Sequence, residues 1–272
     1  NKHEIIVMLE SFHGRTLATL AATGRSKYRE GFQPDMPGFI HVPFNNFEAL
    51  KNAVSDKTCA IMLEPVQGEG GVIPADAEYM KKVRTLCNEK GILLLFDEVQ
   101  CGMGRTGELF AWQSYGVEPD AFSIAKALGN GFPIGAFVVK RKYENVLTVG
   151  THASTFGGTP LACAAACAVI DSIFKVNILE NCKENSKYLF DKLIELKNKH
   201  AQIKEIRGRG LMIGIVLDKP GTEIRKEAAQ KGLLILTAGE NVLRLLPPLI
   251  IEKKHIDKAV KILDKCFEKM KG

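Results

Sequence analysis

Gly91-Ile92-Leu93-Leu94-Leu95-Phe96-Asp97-Glu98-Val99-Gln100 is the stretch of sequence that decides the fold. Its unbroken apolar run is typical of a strand buried on both faces, as in a parallel sheet. A helical pattern over 77–90 precedes it, opening after Pro74-Ala75-Asp76 and ending at Gly91. A helix that leads into a buried strand predicts an α/β layered domain, and the two acids that follow place charge at the strand's carboxyl end.

The same apolar texture occurs at Ile5–Leu9, Ala60–Leu63 and Gly135–Val139. We expect these three segments and 92–96 to share one parallel sheet. In such sheets, ligands bind beyond the carboxyl ends of the strands. Candidate functional residues should therefore lie just after the strands, at 11–15, 64–69 and 97–100.

The sequence pattern changes after two predicted helices. The first is rich in alanine and cysteine, over Pro160–Phe174, and the second is amphipathic, over Ile178–Lys199. Short strands and helices then alternate without long buried runs, which indicates a compact α+β domain. The expected strands are 210–217, 233–236 and 242–246, and the expected helices are 223–231 and 254–269. We place the boundary near residue 174, which gives a large domain over 1–174 and a small C-terminal domain over 175–272.

Composition narrows the class of protein. The 272 residues are 46% hydrophobic and 25% charged, as in ordinary globular proteins. The net charge of +6 is spread over helices in which acids alternate with bases, which indicates a solvated surface rather than a nucleic-acid site. We find no apolar run long enough for a membrane helix and no signal-peptide core. The predicted protein is cytoplasmic, with neither nucleic acid nor membrane as a partner.

Metal binding and disulfides are not expected. The seven cysteines are odd in number and lack paired short spacings, which favours reduced thiols. Cys163 and Cys167 lie four residues apart, but no second pair of cysteines or histidines completes a metal site. The six histidines are scattered along the chain.

Two charged residues stand in apolar surroundings. Asp97 directly follows the strand over 92–96, and Lys126 lies among small and apolar residues over 121–129. Desolvation of such a lysine would favour a nucleophilic amine. With a carboxylate that pairs with a cofactor's pyridinium nitrogen, it has the parts for Schiff-base chemistry. On spacing alone, a capping aspartate and a lysine that extends from a helix to solvent fit equally well.

Two other motifs compete with this interpretation. Residues 102–107 fit the dinucleotide pattern G-x-G-x-x-G, but four residues separate them from the strand and no clean helix with a suitable acid follows. We interpret them as a glycine-rich active-site loop. Residues 123–126 fit S-x-x-K of penicillin-recognising enzymes, but the partner motifs S-D-N and K-T-G do not occur in the chain.

Several segments in a fixed order around Lys126 resemble one known family, the class III (ω-amino) aminotransferases of the fold type I group, and within it the acetylornithine branch. The resemblance covers essentially the whole chain. It implies a mainly parallel sheet flanked by helices, with a smaller C-terminal α+β domain. The segments are Phe12-His13-Gly14-Arg15-Thr16, Glu64-Pro65-Val66-Gln67-Gly68-Glu69-Gly70-Gly71, Asp97-Glu98-Val99-Gln100, Ser154-Thr155-Phe156-Gly157-Gly158-Thr159-Pro160-Leu161 and Leu243-Arg244-Leu245-Leu246-Pro247-Pro248-Leu249.

The resemblance implies that pyridoxal 5'-phosphate (PLP) is the cofactor. Lys126 would form the Schiff base and then act as the acid and base that moves a proton. Asp97 would hold the pyridinium, and Gln100 would approach the cofactor's phenolic oxygen. Phe12 and Val99 would contact the two faces of the ring.

It also implies roles in assembly and substrate binding. Ser154 and Thr155 would reach the phosphate of a cofactor in the neighbouring subunit, which makes a homodimer with shared active sites. Arg244 would bind the α-carboxylate of glutamate, with Glu69 masking it while the ω-amino substrate is bound. Arg15 would take the other carboxylate, because a guanidinium grips carboxylates in two places. An ordinary ion pair is the alternative for Glu69 and Arg244.

The implied activity moves the ω-amine of N-acetylornithine to 2-oxoglutarate, as in arginine biosynthesis. Ornithine, succinylornithine, succinyl-diaminopimelate and 4-aminobutyrate transaminases are alternatives. The chain begins beyond the family's phosphate-binding Gly-Thr-Glu loop, so we also expect that it is an N-terminally incomplete piece. A chain that is inactive on its own is therefore the hypothesis from another functional class.

Overall fold

The computed structural model describes residues 2–270, and its larger layer is a six-stranded sheet in the order β2-β1-β3-β6-β7-β8. A separate two-stranded ribbon, β4 with β5, follows β3. The strands are β1 (Glu4–Met8), β2 (Phe39–Val42), β3 (Thr58–Leu63), β4 (Val66–Gln67), β5 (Ile73–Pro74), β6 (Leu93–Asp97), β7 (Ala121–Ile124) and β8 (Ala136–Val139).

Neighbouring strands of this sheet run parallel from β2 to β7. The predicted fourth parallel strand is wrong in its direction, because β8 pairs antiparallel with β7. Residues 125–135 alone join the two strands, too short a connection for a helical crossover. The strands β2 and β7 themselves were not predicted, since a histidine and a serine interrupt their short apolar runs.

Helices cover the sheet, and the sequence predicts two of them, over 77–90 and 160–174. The helices over 17–22, 26–29 and 47–53 were not predicted. The helix predicted over 77–90 is observed with the same bounds, with Asp76 as its N-cap residue. Gly91 ends it in the left-handed conformation, φ +59°, which a glycine adopts without a steric penalty. The helices of this part are α1 (Leu17–Ala22), α2 (Ser26–Arg29), α3 (Phe47–Ala53), α4 (Ala77–Lys90) and α5 (Pro160–Lys175).

The main core lies between the sheet and these helices. Phe96 of β6, Ile61 of β3 and Met80 of α4 are almost completely buried there. Each such side chain contributes about 1.5–3 kcal/mol by leaving water. Leu94 and Phe96 of the apolar run are buried in this core, and Asp97 lies at the edge of the sheet where that run ends.

The C-terminal part forms an antiparallel sheet in the order β11-β12-β10-β9. The α+β prediction holds, although β9 was not predicted and the strand expected over 233–236 is observed later, at 236–237. A second core of buried side chains lies between this sheet and its helices. The elements are α6 (Ile178–Lys199), β9 (Ile203–Arg209), β10 (Met212–Leu217), α7 (Thr222–Gln230), β11 (Leu236–Thr237), β12 (Val242–Leu245) and α8 (Lys253–Lys269).

A small third cluster of buried side chains joins the two sheets. Val66 and Val72 from the β4–β5 ribbon pack there with Met212 and Val242. The glycine-rich loop over 102–107 adds polar contacts, because Arg105 donates to the carbonyl oxygens of Leu211 and Pro247 at 3.1 and 2.6 Å. The predicted domain boundary near 174 stays a prediction, and the ends of the two predicted ranges, Asn1 and 271–272, lie outside the described residues.

Between residues 2 and 270, no single helix has both the length and the apolar character that a membrane span needs. The bent pair α5 and α6, with an angle of 66° between them, meets those criteria only when the two are taken together.

Candidate active site

Polar side chains meet at one edge of the large sheet, where four parallel strands end. The strands β1, β3, β6 and β7 are neighbours and run in the same direction, so their carboxyl ends lie side by side. Asp97 is the last residue of β6, and the residues that follow the other three strands include Phe12, Glu64 and Lys126. This is the edge at which the sequence predicts a ligand site.

Asp97 is held in place by two hydrogen bonds. Its Oδ1 accepts from the backbone N–H of Val99 at 3.0 Å, and its Oδ2 lies 2.8 Å from Nδ1 of His13. The carboxylate is almost buried and the His13 side chain is fully enclosed. A buried carboxylate with fixed orientation can bind a cationic ring nitrogen, which is the role predicted for it.

Lys126 lies just past the end of β7, and Ser123 of that strand is the register partner of Asp97. Its φ is +42°, a left-handed conformation that costs free energy for a residue with a side chain. Such strain persists where the surrounding structure imposes it, and it is concentrated at functional sites. The expected desolvation of Lys126 is wrong for the described chain, because its side chain is exposed. It lines an open cavity of about 420 Å³ together with Ala127 and 130–134, a loop rather than an apolar enclosure.

Two buried acids flank Asp97 and were not singled out in the sequence. Glu64 accepts from the backbone N–H of Phe12 at 3.0 Å and of Gly68 at 3.1 Å. Burial raises the pKa of Glu64 to about 7, an effect that the nearby Asp97 charge reinforces and that of His13 opposes.

Glu98 accepts from the backbone N–H groups of Ala111 and Trp112 at 2.7 and 2.8 Å. Burial raises the pKa of Glu98 to about 7, against the effect of these two hydrogen bonds. Glu98 therefore anchors the short helical turn over 111–115 behind the site.

Arg244 reaches the site from the small sheet. Its Nη1 donates to Oε1 of Glu69 at 2.7 Å and to Oε1 of Gln100 at 3.0 Å. Arg244 is buried, Glu69 is half-buried, and Nε of Arg244 has no hydrogen-bond partner. The structure thus brings together Arg244, Glu69 and Gln100, three residues predicted to act at the site. A ligand carboxylate could take the place of Glu69 in the ion pair.

Aromatic rings and a guanidinium group stand beside this pair. The Phe12 ring meets Tyr28 edge-on, with centroids 5.7 Å apart. The Arg15 guanidinium lies 4.4 Å from the Tyr28 ring centroid and 5.6 Å from that of Phe12. Arg15 is exposed, so its charge remains available to a second carboxylate. Val99, the other predicted ring contact, is half-buried next to Asp97.

Ser154 and Thr155 lie on an exposed loop before α5. No described hydrogen bond joins their side chains to the cluster around Asp97 within residues 2–270. Their exposure leaves the two hydroxyls accessible from outside this chain, and their predicted contact with a neighbouring subunit stays a prediction.

Sequence reasoning missed His13 and Glu64 as site residues, although both lie in the segments used for the resemblance. The signal was available, because Glu64 directly follows β3 and His13 lies in the loop after β1, a strand that ends at the same edge. What the sequence did not give is the pairing of side chains across that edge, such as His13 with Asp97.

Metal-binding side chains do not converge in the described part of the chain, where no group of three His, Cys, Asp or Glu residues has the proximity of a metal site. All seven cysteines are free, including Cys163 and Cys167 on α5.

The residues at this edge fit PLP. Asp97 supplies a fixed carboxylate for a ring nitrogen, and Lys126 supplies an exposed primary amine for an aldehyde. The fully enclosed His13 keeps Nε2 without a partner, so the cluster around Asp97 has hydrogen-bonding capacity to spare. The chemistry of these donors and acceptors fits an organic cofactor with an aldehyde and a ring nitrogen.

Comparison with known proteins shows the family to which the chain belongs. The family model described as aminotransferase class-III matches residues 1–267. Among curated relatives, the acetylornithine aminotransferase of Methanocaldococcus jannaschii is 54% identical over 98% of this chain and 67% of its own length. The succinylornithine transaminase of Yersinia pestis is 47% identical over 94% of this chain and 63% of its own length.

Solved structures give the same result. The ornithine aminotransferase of Toxoplasma gondii, described with partial occupancy of PLP at its active site, has a TM-score of 0.94 at 32% identity and covers 99% of this chain. The N-acetylornithine aminotransferase of Stenotrophomonas maltophilia has a TM-score of 0.83 at 37% identity, also over 99%. This chain spans 65% and 66% of those two proteins. With its α/β fold, its site and these relatives, the chain belongs to the class III aminotransferase family.

Proposed function

We propose that this protein is a PLP-dependent aminotransferase that moves the ω-amine of N-acetylornithine to 2-oxoglutarate. The observation that carries the proposal is the placement of Lys126, in a strained left-handed conformation at the end of β7, at the same sheet edge as Asp97. When bound, PLP supplies an aldehyde that captures amines and a ring that accepts electrons.

The chain's own residues have separate tasks in this reaction. Asp97 would hold the ring nitrogen in its protonated form, and His13 and the Val99 amide keep the carboxylate oriented. Lys126 Nζ would take the proton from the substrate carbon that bears the amine and deliver it to the carbon of the cofactor aldehyde. Phe12 and Val99 would contact the two faces of the ring and keep water from them. Gln100 would approach the phenolic oxygen with its amide N–H groups, while its Oε1 accepts from Arg244.

The ion pair of Arg244 and Glu69 supports a reaction with two different substrates. The 2-oxo acid carries an α-carboxylate, which Arg244 binds when Glu69 moves away. The carbon that bears the ω-amine carries no carboxylate, and Glu69 then neutralises Arg244. Arg15 binds the remaining carboxylate from its exposed position over Tyr28.

The choice of N-acetylornithine rests on the similarity to acetylornithine aminotransferases, at 54% and 49% identity in two of the relatives. Succinylornithine is the second candidate substrate, because one relative at 47% identity acts on it by name. Both are acylated at the α-amine, so the same arrangement of arginines serves either.

We also propose that two copies share their sites, with Ser154 and Thr155 of one copy contacting the cofactor phosphate of the other. The exposure of both hydroxyls supports this arrangement. Purification as a dimer, with weaker cofactor binding in S154A/T155A, is the expected result.

Borohydride reduction after addition of PLP tests the central assignment. A pyridoxyl group attached to Lys126 in the digested protein is expected, together with a visible absorbance band before reduction. Lys140→Arg is a control that should not change labelling. Lys140 follows β8, which runs antiparallel to β7, so it lies at the opposite edge of the sheet from Lys126. Labelling spread over surface lysines, or none, would contradict the proposal. Amine transfer from N-acetylornithine and N-succinylornithine then separates the two substrates.

A further inference from the structure

Glu64 is a buried carboxylate with an unusual pair of partners. Its side chain follows β3 and is 4% exposed. One oxygen accepts from the Phe12 N–H at 3.0 Å and the other from the Gly68 N–H at 3.1 Å. These amides belong to two different loops, one after β1 and one between β4 and β5.

Each loop presents a residue of the proposed site. The first carries Phe12 itself. The second carries Glu69, which directly follows Gly68 and pairs with Arg244. Gly68 also packs so tightly on the Gln100 side chain that a Cβ atom would collide with its amide group. A shift of the Gly68 backbone therefore displaces both partners of Arg244.

We propose that Glu64 is a positioning residue that couples the ring-contacting loop at Phe12 to the Glu69–Arg244 ion pair. The coupling rests on the function proposed above. Only a carboxylate accepts with both oxygens, and a glutamine in its place directs an N–H at one of the two amides. Glu64 thereby links the position of the cofactor ring to the masking of Arg244 between the two half-reactions.

Protonation of Glu64 perturbs the same two hydrogen bonds, to the Phe12 and Gly68 amides, without a mutation. A protonated Glu64 has one oxygen that donates and so holds one amide less firmly. The charged and titratable groups around it are His13 from the loop after β1, Asp97 at the end of β6 and the Cys101 thiol. Burial raises the pKa of Glu64 to about 7, so the change falls within a range in which the protein can be studied.

Amide hydrogen exchange of E64Q tests the proposal directly and without cofactor. We expect the Phe12 or the Gly68 amide to exchange at least about 10-fold faster, because one hydrogen bond of the pair is lost. Asp120→Asn is the matched control, a buried carboxylate on the opposite edge of the sheet that accepts from the Leu94 N–H at 3.0 Å. It should accelerate Leu94 alone. Unchanged exchange at Phe12 and Gly68 in E64Q overturns the proposal.

Wild-type protein provides the second measurement and does not depend on a variant that folds. From pH 8 to pH 6, protection of the Phe12 or Gly68 amide should fall relative to that of Leu94, whose partner Asp120 has a lowered pKa. A constant ratio across this range contradicts the assigned coupling.

Steady-state kinetics then distinguish a loss of coupling from a general loss of active-site structure. In E64Q, KM for the amino donor should rise about 10-fold, because a displaced Glu69 no longer masks Arg244, while KM for the 2-oxo acid stays the same or falls. Asp120→Asn should leave both values unchanged, and an equal rise of both in E64Q overturns the proposal. Absence of a pyridoxyl label on wild-type Lys126 would instead contradict the proposed function. In that case the exchange data would still test whether Glu64 holds the Phe12 and Gly68 amides.

Discussion

Arg244 and Glu69 form an ion pair, 2.7 Å from Nη1 to Oε1, that connects the antiparallel sheet to the loop of the β4–β5 ribbon. Arg244 is 7% exposed at its side chain and Glu69 is 26% exposed. The guanidinium is therefore fixed and the carboxylate is the partner that can leave. An anion that replaces Glu69 keeps the arginine paired, so the exchange avoids an isolated buried charge.

Replacing Arg244 by lysine should affect the two substrates differently. Lysine retains the charge but loses the planar fork that grips a carboxylate. KM for 2-oxoglutarate should rise about 10- to 100-fold, whereas KM for the amino donor should change less than about 3-fold. Single-turnover measurements of each half-reaction give both values. Arg225→Lys on α7 is the control, and equal changes of both KM values in R244K would exclude the assigned role.

A methyl group at Gly68 should disturb Gln100 without unfolding the protein. The added Cβ collides with the end of the Gln100 side chain, which is flexible and can rotate away from Arg244. We expect G68A to melt within a few degrees of wild type and to bind the cofactor more weakly, because Gln100 no longer takes its place. An absorbance titration with PLP measures this affinity.

The double variant G68A/Q100A provides the control for that explanation. If the only effect of G68A is to move Gln100, then adding it to Q100A costs nothing further, and the two effects are not additive. Additive losses would show that Gly68 acts through its own backbone instead.

The sequence predicts the scaffold better than the contacts at the site. The apolar run before Asp97 and the caps of α4 follow from local patterns, because burial and helix ends leave direct traces in sequence. The direction of β8 depends on the short path of residues 125–135, which the apolar pattern does not report. The exposure of Lys126 depends on which segments pack around it, and its small, apolar neighbours suggested the opposite.

Stability should depend on pH through the two buried acids Glu64 and Glu98. Burial raises the pKa of each to about 7, so folding takes up protons between about pH 4.5 and 7. Burial disfavours the charged form of each acid more than its hydrogen bonds to backbone N–H groups favour it. The free energy of unfolding should therefore be highest with respect to these groups below pH 4.5, and should fall by roughly 3 kcal/mol for each as the pH rises through 7.

Urea unfolding at pH 5, 6, 7 and 8 measures this dependence. E98Q should show a shallower decline than wild type, because the amide does not titrate. Glu78→Gln changes an exposed acid of α4 and should retain the wild-type slope. A slope in E98Q equal to that of wild type would mean that Glu98 is ionised in the same way when folded and unfolded.

His200 holds the end of α6 against α8 through Asp264, with Nε2 2.6 Å from Oδ1. The ring is buried and lies 5.4 Å from that of Phe267, while Asp264 is partly exposed to water. H200F should keep this packing and lose only the hydrogen bond, at about 1 kcal/mol. H200A also leaves a cavity and should cost about 2–4 kcal/mol.

Because the His200 hydrogen bond lowers the pKa of Asp264, its contribution to stability is present above the ordinary pKa of an aspartate and is lost as Asp264 is protonated. The difference in the free energy of unfolding between wild type and H200F, measured with urea, should accordingly be largest at pH 7 and decrease below pH 4. A difference that is constant over this range would assign the effect of His200 to packing alone.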